Sequence, residues 1–136
     1  MMQTVFTVNG EPQGKARPRF TRGGRTYTPK KTVLYEESIR NAFQNAGGQL
    51  TELPVQVSIT AYYKIPVSAS KARATQMDRG EIMPLKKPDT DNVAKAVCDA
   101  LNGYAYKDDA QVCVLHVKKM YSRDPMIVVS VSEIVR

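Results

Sequence analysis

Five residues carry the chemistry this sequence suggests: Asp89, Asp91, Lys95, Asp108 and Asp109. They fall within residues 86–109, where two acidic turns flank a short segment of helical pattern. The chain around them is basic, with 20 Lys and Arg against 13 Asp and Glu and a formal net charge of +7. Carboxylates gathered in such a chain suggest a hard cation. Mg²⁺ takes oxygen ligands, often one or two carboxylates completed by waters and substrate phosphates. An ion held in this way can activate water and stabilise charge on a phosphodiester. Lys95 would add positive charge to the same transition state. Each motif also has an ordinary reading, since Asp-Thr-Asp ahead of a helix caps it and Lys-Asp-Asp behind one makes a turn. The basic composition tips the balance towards function, and physics alone leaves both readings open.

The segment between the acidic turns has to position them. Val93, Ala96, Val97, Ala100 and Leu101 recur at three and four residues, which predicts a helix over 91–102 with one apolar stripe. Thr90 suits its N-cap and Gly103 a left-handed C-terminal cap. Asp91, Asn92, Lys95 and Asp99 are left off the stripe, and Asp91 and Lys95, four apart, are surface neighbours. Such a helix is about 18 Å long, with Asp91 at its start and Asp109 beyond its far end. A site within one chain therefore requires residues 103–109 to double back along the helix, reversing at Gly103 and packing Tyr104 and Tyr106 on it. That arrangement is expected in preference to a composite site completed by a partner subunit.

The 136 residues suffice for one domain with one core, and 42% are hydrophobic. The positive balance points to a polyanionic partner, most simply nucleic acid; a merely soluble basic protein is the rival reading. Cys98 and Cys113 show no Cys-x-x-Cys spacing and are expected to be reduced, partly buried thiols. His116 stands alone, which argues against a zinc site of His and Cys, and no Gly-x-Ser-x-Gly elbow is present. Neither a signal peptide nor an apolar run long enough to span a membrane is expected.

In chain order, 2–8 and 55–64 alternate as strands, and 110–121 and 126–134 read as two more, joined as an antiparallel hairpin by Ser122–Pro125. Thr28 then Pro29 starts a helix to about Asn45, with Val33, Leu34, Tyr35, Ile39, Ala42 and Phe43 on a broad apolar face. Residues 68–79 suggest a short peripheral helix, or a segment that orders only on DNA. Residues 14–27 hold five cations, two aromatics and three glycines. This stretch reads as a mobile arm that meets DNA phosphates and stacks on exposed bases, or else as a solvated loop. The expected fold is α/β or α+β: a small mixed four-stranded sheet with two main flanking helices in a single domain.

The run Pro88-Asp89-Thr90-Asp91-Asn92 with Lys95, then Asp99-Ala100-Leu101-Asn102, then Lys107-Asp108-Asp109-Ala110-Gln111-Val112, resembles the RusA family of Holliday junction resolvases. The match is a D-x-D-N-x-x-K helix followed, in order and at the right distance, by D-D-x-Q-[VI] leading into a strand. The rest of the chain agrees more loosely, through its basic loop and element order. The resemblance implies a small mixed sheet with flanking helices, a homodimer, and Mg²⁺-dependent nicking of four-way DNA junctions, with Mn²⁺ able to substitute. It implies Asp89, Asp91 and Asp109 as catalytic metal ligands, Asp108 as an accessory ligand or support, and Lys95 as the phosphate-stabilising cation. Lys15, Arg17, Arg19, Arg22, Arg25, Lys86 and Lys87 are the expected DNA contacts. A cytoplasmic protein of bacterial or phage origin would fit. The alternative is a non-catalytic junction-binding module in recombination or repair.

Overall fold

The computed structural model describes residues 3–16 and 19–135, with the backbone alone at Arg19. Alternation builds its strands. In β1 (Gln3–Asn9), Thr4, Phe6 and Val8 turn inward. In β4 (Val55–Lys64), Val55, Val57, Ile59, Ala61 and Tyr63 do so, and in β6 (Met126–Glu133), Ile127, Val129 and Val131. With β5 (Val112–Ser122) these form one mixed sheet in the order β1-β6-β4-β5. β6 is antiparallel to both β1 and β4, while β4 and β5 are parallel. The expected α/β class with a four-stranded mixed sheet is therefore what the chain adopts.

One expectation about the sheet fails. Strands β5 and β6 do not form a hairpin, because β4 lies between them. β4 buries five inward residues in unbroken alternation, Val55 to Tyr63, and its central place pairs both of its backbone edges, with β6 on one side and β5 on the other. The Ser122–Pro125 connection instead arches across the end of β4. The Ile65 N–H donates to the Ser122 carbonyl and the Gly10 N–H to the Pro125 carbonyl, both at 3.0 Å.

The parallel pair β4–β5 needs a crossover. It contains α2 (Lys71–Asp78) and α3 (Thr90–Leu101). α2 is peripheral, as expected: Ser70 caps it by accepting the Arg73 N–H at 3.2 Å, and Met77 is its one buried residue. α3 lies beside α1 (Lys30–Asn45) over the inward face of the sheet, and Val93, Ala94, Ala96, Val97, Ala100 and Leu101 are buried beneath it. Phe43 of α1 meets Phe6 of β1 edge to face at 5.9 Å. The buried stripe of α1 is narrower than expected: Thr32, Tyr35, Ile39 and Phe43. Val33 and Leu34 are 37% and 52% exposed, because steps of about 100° per residue carry them off that line.

Both expected N-caps shift by one residue. Pro29 holds the cap position of α1 and Asp89 that of α3, and neither makes a side-chain capping bond. Past α3 the chain reverses at Gly103, whose φ of +85° belongs to the left-handed region. Tyr106 is then fully buried and its hydroxyl donates to the Cys98 carbonyl at 2.8 Å. Tyr104 departs from expectation: it is 41% exposed and lies under the Arg40 guanidinium of α1 at 5.2 Å.

A second tyrosine ties the start of α3 to the sheet. Tyr63 is buried at the end of β4 and donates its hydroxyl proton to the Pro88 carbonyl at 2.6 Å. Burial, reinforced by neighbouring Tyr35, Asp89 and Glu11, raises its pKa from 10.0 to about 12. Between those values the folded state keeps a proton that the unfolded chain has lost, so stability present below about pH 10 falls as pH rises towards 12. Tyr63→Phe should cost about 1 kcal/mol near neutral pH. It should also flatten that alkaline fall in part, leaving the shares of Tyr106, Tyr35 and Cys98, whose pKa values burial also raises. Urea unfolding of both proteins across this range measures the two effects; an unchanged alkaline slope would contradict this account of Tyr63.

Candidate active site

α3 presents Asp91, Lys95 and Asp99 on one face at successive four-residue steps, the side left over once the apolar stripe is buried. β5 runs alongside. Between them is an open cleft of about 440 Å³, lined by Asp91, Lys95, Cys98, Asp99 and Asp109 with Val112, Cys113 and Leu115 of β5. Asp91, Lys95 and Asp109 thus face one space within a single chain. Asp99 joins them although it was not an expected site residue. Its signal in the sequence was its place eight residues after Asp91 and four after Lys95.

The reversal after α3 brings Asp109 here. Asp109 opens a single 3-10 turn, Asp109–Gln111, that leads into β5. Asp108 caps that turn, accepting the Ala110 N–H at 3.2 Å. Gln111 holds it from the other end. Its side-chain oxygen accepts from the Lys107 and Asp108 N–H groups at 2.9 and 3.3 Å, and its amide nitrogen donates to the Thr51 and Leu53 carbonyls at 3.0 Å. The D-D-x-Q motif is thereby accounted for residue by residue: Asp109 faces the cleft, while Asp108 and Gln111 fix the turn that presents it.

Asp89 is placed differently. Its carboxylate takes the Lys87 ammonium at 2.7 Å, which holds its pKa below the ordinary carboxylate range, and it does not line the cleft. Lys86 and Lys119 gather nearby over the Tyr63 ring, at 5.8 and 5.0 Å, and the Lys119 ammonium donates to the Lys86 carbonyl at 2.6 Å. Lys119 extends the basic pair Lys86–Lys87 and was absent from the expected contacts; thirty-odd residues of sequence concealed it.

Of the other expected DNA contacts, Arg22 and Arg25 are exposed on a small hairpin whose strands are β2 (Arg19–Phe20) and β3 (Thr26–Tyr27). Phe20 there is 74% exposed. Arg17 and the Arg19 side chain lie outside the described residues. Lys15 is engaged within the protein: its ammonium is 2.9 Å from Glu36 of α1 and 3.5 Å from Asp99 of α3.

The donor chemistry of the cleft suits a divalent hard cation. Asp91 and Asp109 offer carboxylate oxygens to one open space, the pattern of a Mg²⁺ site completed by waters and substrate phosphate. Among the described residues no group of three or more His, Cys, Asp or Glu is assembled to hold a metal ion.

Two comparisons bear on this geometry. The family model described as Endodeoxyribonuclease RusA matches residues 9–132, from the end of β1 to the penultimate residue of β6. The chain is also similar to the uncharacterized protein YqaN of Bacillus subtilis (strain 168), with 37% identity over 135 residues and 95% of each chain covered.

Proposed function

The chain belongs to the RusA endodeoxyribonuclease family, and on that premise we propose that it is a Mg²⁺-dependent, structure-selective endodeoxyribonuclease that resolves four-way DNA junctions. The observation that carries the reading is the shared cleft: Asp91 and Lys95 from the start of α3 and Asp109 from beyond its end line one space. Asp91 and Asp109 would hold the ion, with Mn²⁺ able to replace Mg²⁺. When bound, the ion supplies an activated water and charge stabilisation at the phosphate. Lys95, on the same wall, sets a fixed positive charge against the charge that develops on the phosphate oxygens. Asp108 supports by shaping the turn that presents Asp109. Asp89 would join Asp91 and Asp109 by leaving Lys87 and turning into the cleft, which it does not line in this structure.

The basic groups outside the cleft would receive the DNA backbone: Arg22 and Arg25 on the hairpin, with Lys86, Lys87 and Lys119 at the start of α3. A two-fold homodimer would offer two equivalent clefts to the two strands of a junction that are cut symmetrically. No helix among the described residues is long and apolar enough to cross a membrane. A DNA substrate would place the protein in the cytoplasm, at the nucleoid.

A second reading has one observation in its favour. Asp89 and Asp108 are already occupied, by Lys87 and by the turn that Asp108 shapes. A junction-binding module without catalysis would look the same. Incubating a labelled synthetic four-way junction with the protein, with and without Mg²⁺, separates the two. Paired symmetrical nicks that require the ion are expected. Asp91→Asn and Asp109→Asn should each lower nicking at least about a hundredfold while junction binding survives, because binding rests on the phosphate contacts. Retained nicking in Asp91→Asn would sink the catalytic assignment.

Lys95→Ala should slow nicking by about a hundredfold at every Mg²⁺ concentration, with little loss of binding. If Lys95 serves only as a surface partner of Asp91 or Asp99, its removal would cost about 0.3–0.5 kcal/mol of stability and leave the rate untouched. Replacing Arg22 and Arg25 together by Ala should lower the slope of log affinity against log salt by about 0.9 for each duplex phosphate no longer neutralised, about 1.8 in all. An unchanged slope would make the hairpin a solvated loop.

A further inference from the structure

We propose that Asn92 and Gly14 form a latch that fixes the root of the basic arm to α3, so that DNA held by the arm enters the cleft in register. Asn92 follows Asp91 directly in the first turn of α3, off the buried stripe. Its side-chain oxygen accepts the Lys15 N–H at 3.1 Å, and the same N–H lies 3.4 Å from the Asn92 backbone carbonyl. Gly14 leaves the room this needs. A Cβ there would collide with Nδ2 of Asn92, and would stand 2.7 Å from Cγ of Asn92 and 3.1 Å from Cβ of Pro88. The Asn92 side chain is short and already bonded, so any larger residue at position 14 must displace it and break the bond to Lys15.

The Lys15 side chain repeats the attachment further along α3. The side chain is 22% exposed and its ammonium sits between Glu36 and Asp99, and Asp99 is a wall of the cleft. Asn92 and Asp99 are seven residues apart, about 10 Å along the helix. Residues 14–15 are therefore held to α3 at two levels, by backbone at one and by side chain at the other. β2 begins four residues beyond Lys15, so the exposed cations Arg22 and Arg25 hang on a short tether from the cleft. Catalysis by positioning is steep, since a misplacement of about 1 Å can cost about a hundredfold in rate. A free arm would bind phosphates equally well, but would deliver them to the cleft without register. Asn92 is thus a positioning residue that acts through the root of the arm.

The latch rests on the nuclease reading only for its cleavage readout, and a second readout is independent of activity. Limited trypsin digestion of the free, folded protein reports release of the arm at its Lys and Arg residues. Cleavage within residues 15–25 should rise about fivefold in Asn92→Leu and in Gly14→Ala, the factor corresponding to one net hydrogen bond. Asn92→Asp, which keeps an acceptor oxygen for the Lys15 N–H, should remain protected. On a labelled junction, Asn92→Leu and Gly14→Ala should leave KM little changed, lower kcat and spread the nicks over neighbouring phosphates. A merely structural role would lower stability without moving the nick positions. Wild-type protease protection and wild-type nick positions in folded Asn92→Leu and Gly14→Ala would overturn the proposal. Should the wild-type protein nick no junction at all, the nuclease reading fails and the digestion alone decides the latch.

Discussion

The parallel pairing of β4 with β5 is the constraint on which the rest of the molecule depends. Two parallel neighbours cannot be joined by a turn, so the chain must leave the sheet, cross its face and return. α3 is part of that crossing. Three of its six buried residues are alanines, Ala94, Ala96 and Ala100, which lets the helix lie close to β5. The return must then run back along α3 to start β5 beside β4, and the reversal at Gly103 with buried Tyr106 secures it. The juxtaposition of Asp91 and Asp109 is a consequence of the topology: the residue that begins the crossover helix and the residue that ends the return both face the gap between α3 and β5.

The charges follow the same plan. A protein of net +7 concentrates three carboxylates, Asp91, Asp99 and Asp109, on one cleft, against Lys95 on the same wall and Lys15 beside Asp99. Elsewhere the acidic groups of the motif are used locally, Asp89 on Lys87 and Asp108 on its own turn. The proposed reaction would draw on this separation, with negative charge where an ion would sit and positive charge where phosphates would arrive.

Stability and function meet at the start of α3. Tyr63 anchors Pro88 from the sheet, Lys86 and Lys119 cover its ring, and Asn92 receives the root of the arm from the other side. Few residues separate these contacts from Asp91. Rigid support of this kind limits the freedom of a site whose remaining ligands would come from solvent and substrate.

Much of this was legible from local pattern. Period-two alternation gave away β1 and β4, and the three-and-four spacing marked α3 and, by subtraction, the face bearing Asp91, Lys95 and Asp99. The paired acidic motifs pointed to the family, since their order along the chain is a sequence property. Such features are local because side-chain direction repeats within a few residues. What only the tertiary structure decided is long-range. The hairpin inferred from Ser122–Pro125 gave way because β4, some sixty residues earlier, could satisfy both neighbours at once. Lys15 looked like one more DNA contact until α1 and α3 closed on it, and Lys119 joined Lys86 only through the sheet. Asp89 and Asp108 could not be told from Asp91 and Asp109 by residue type. Their separation depended on which backbone N–H or ammonium lay within reach after folding, and no spacing in the chain encodes that distance.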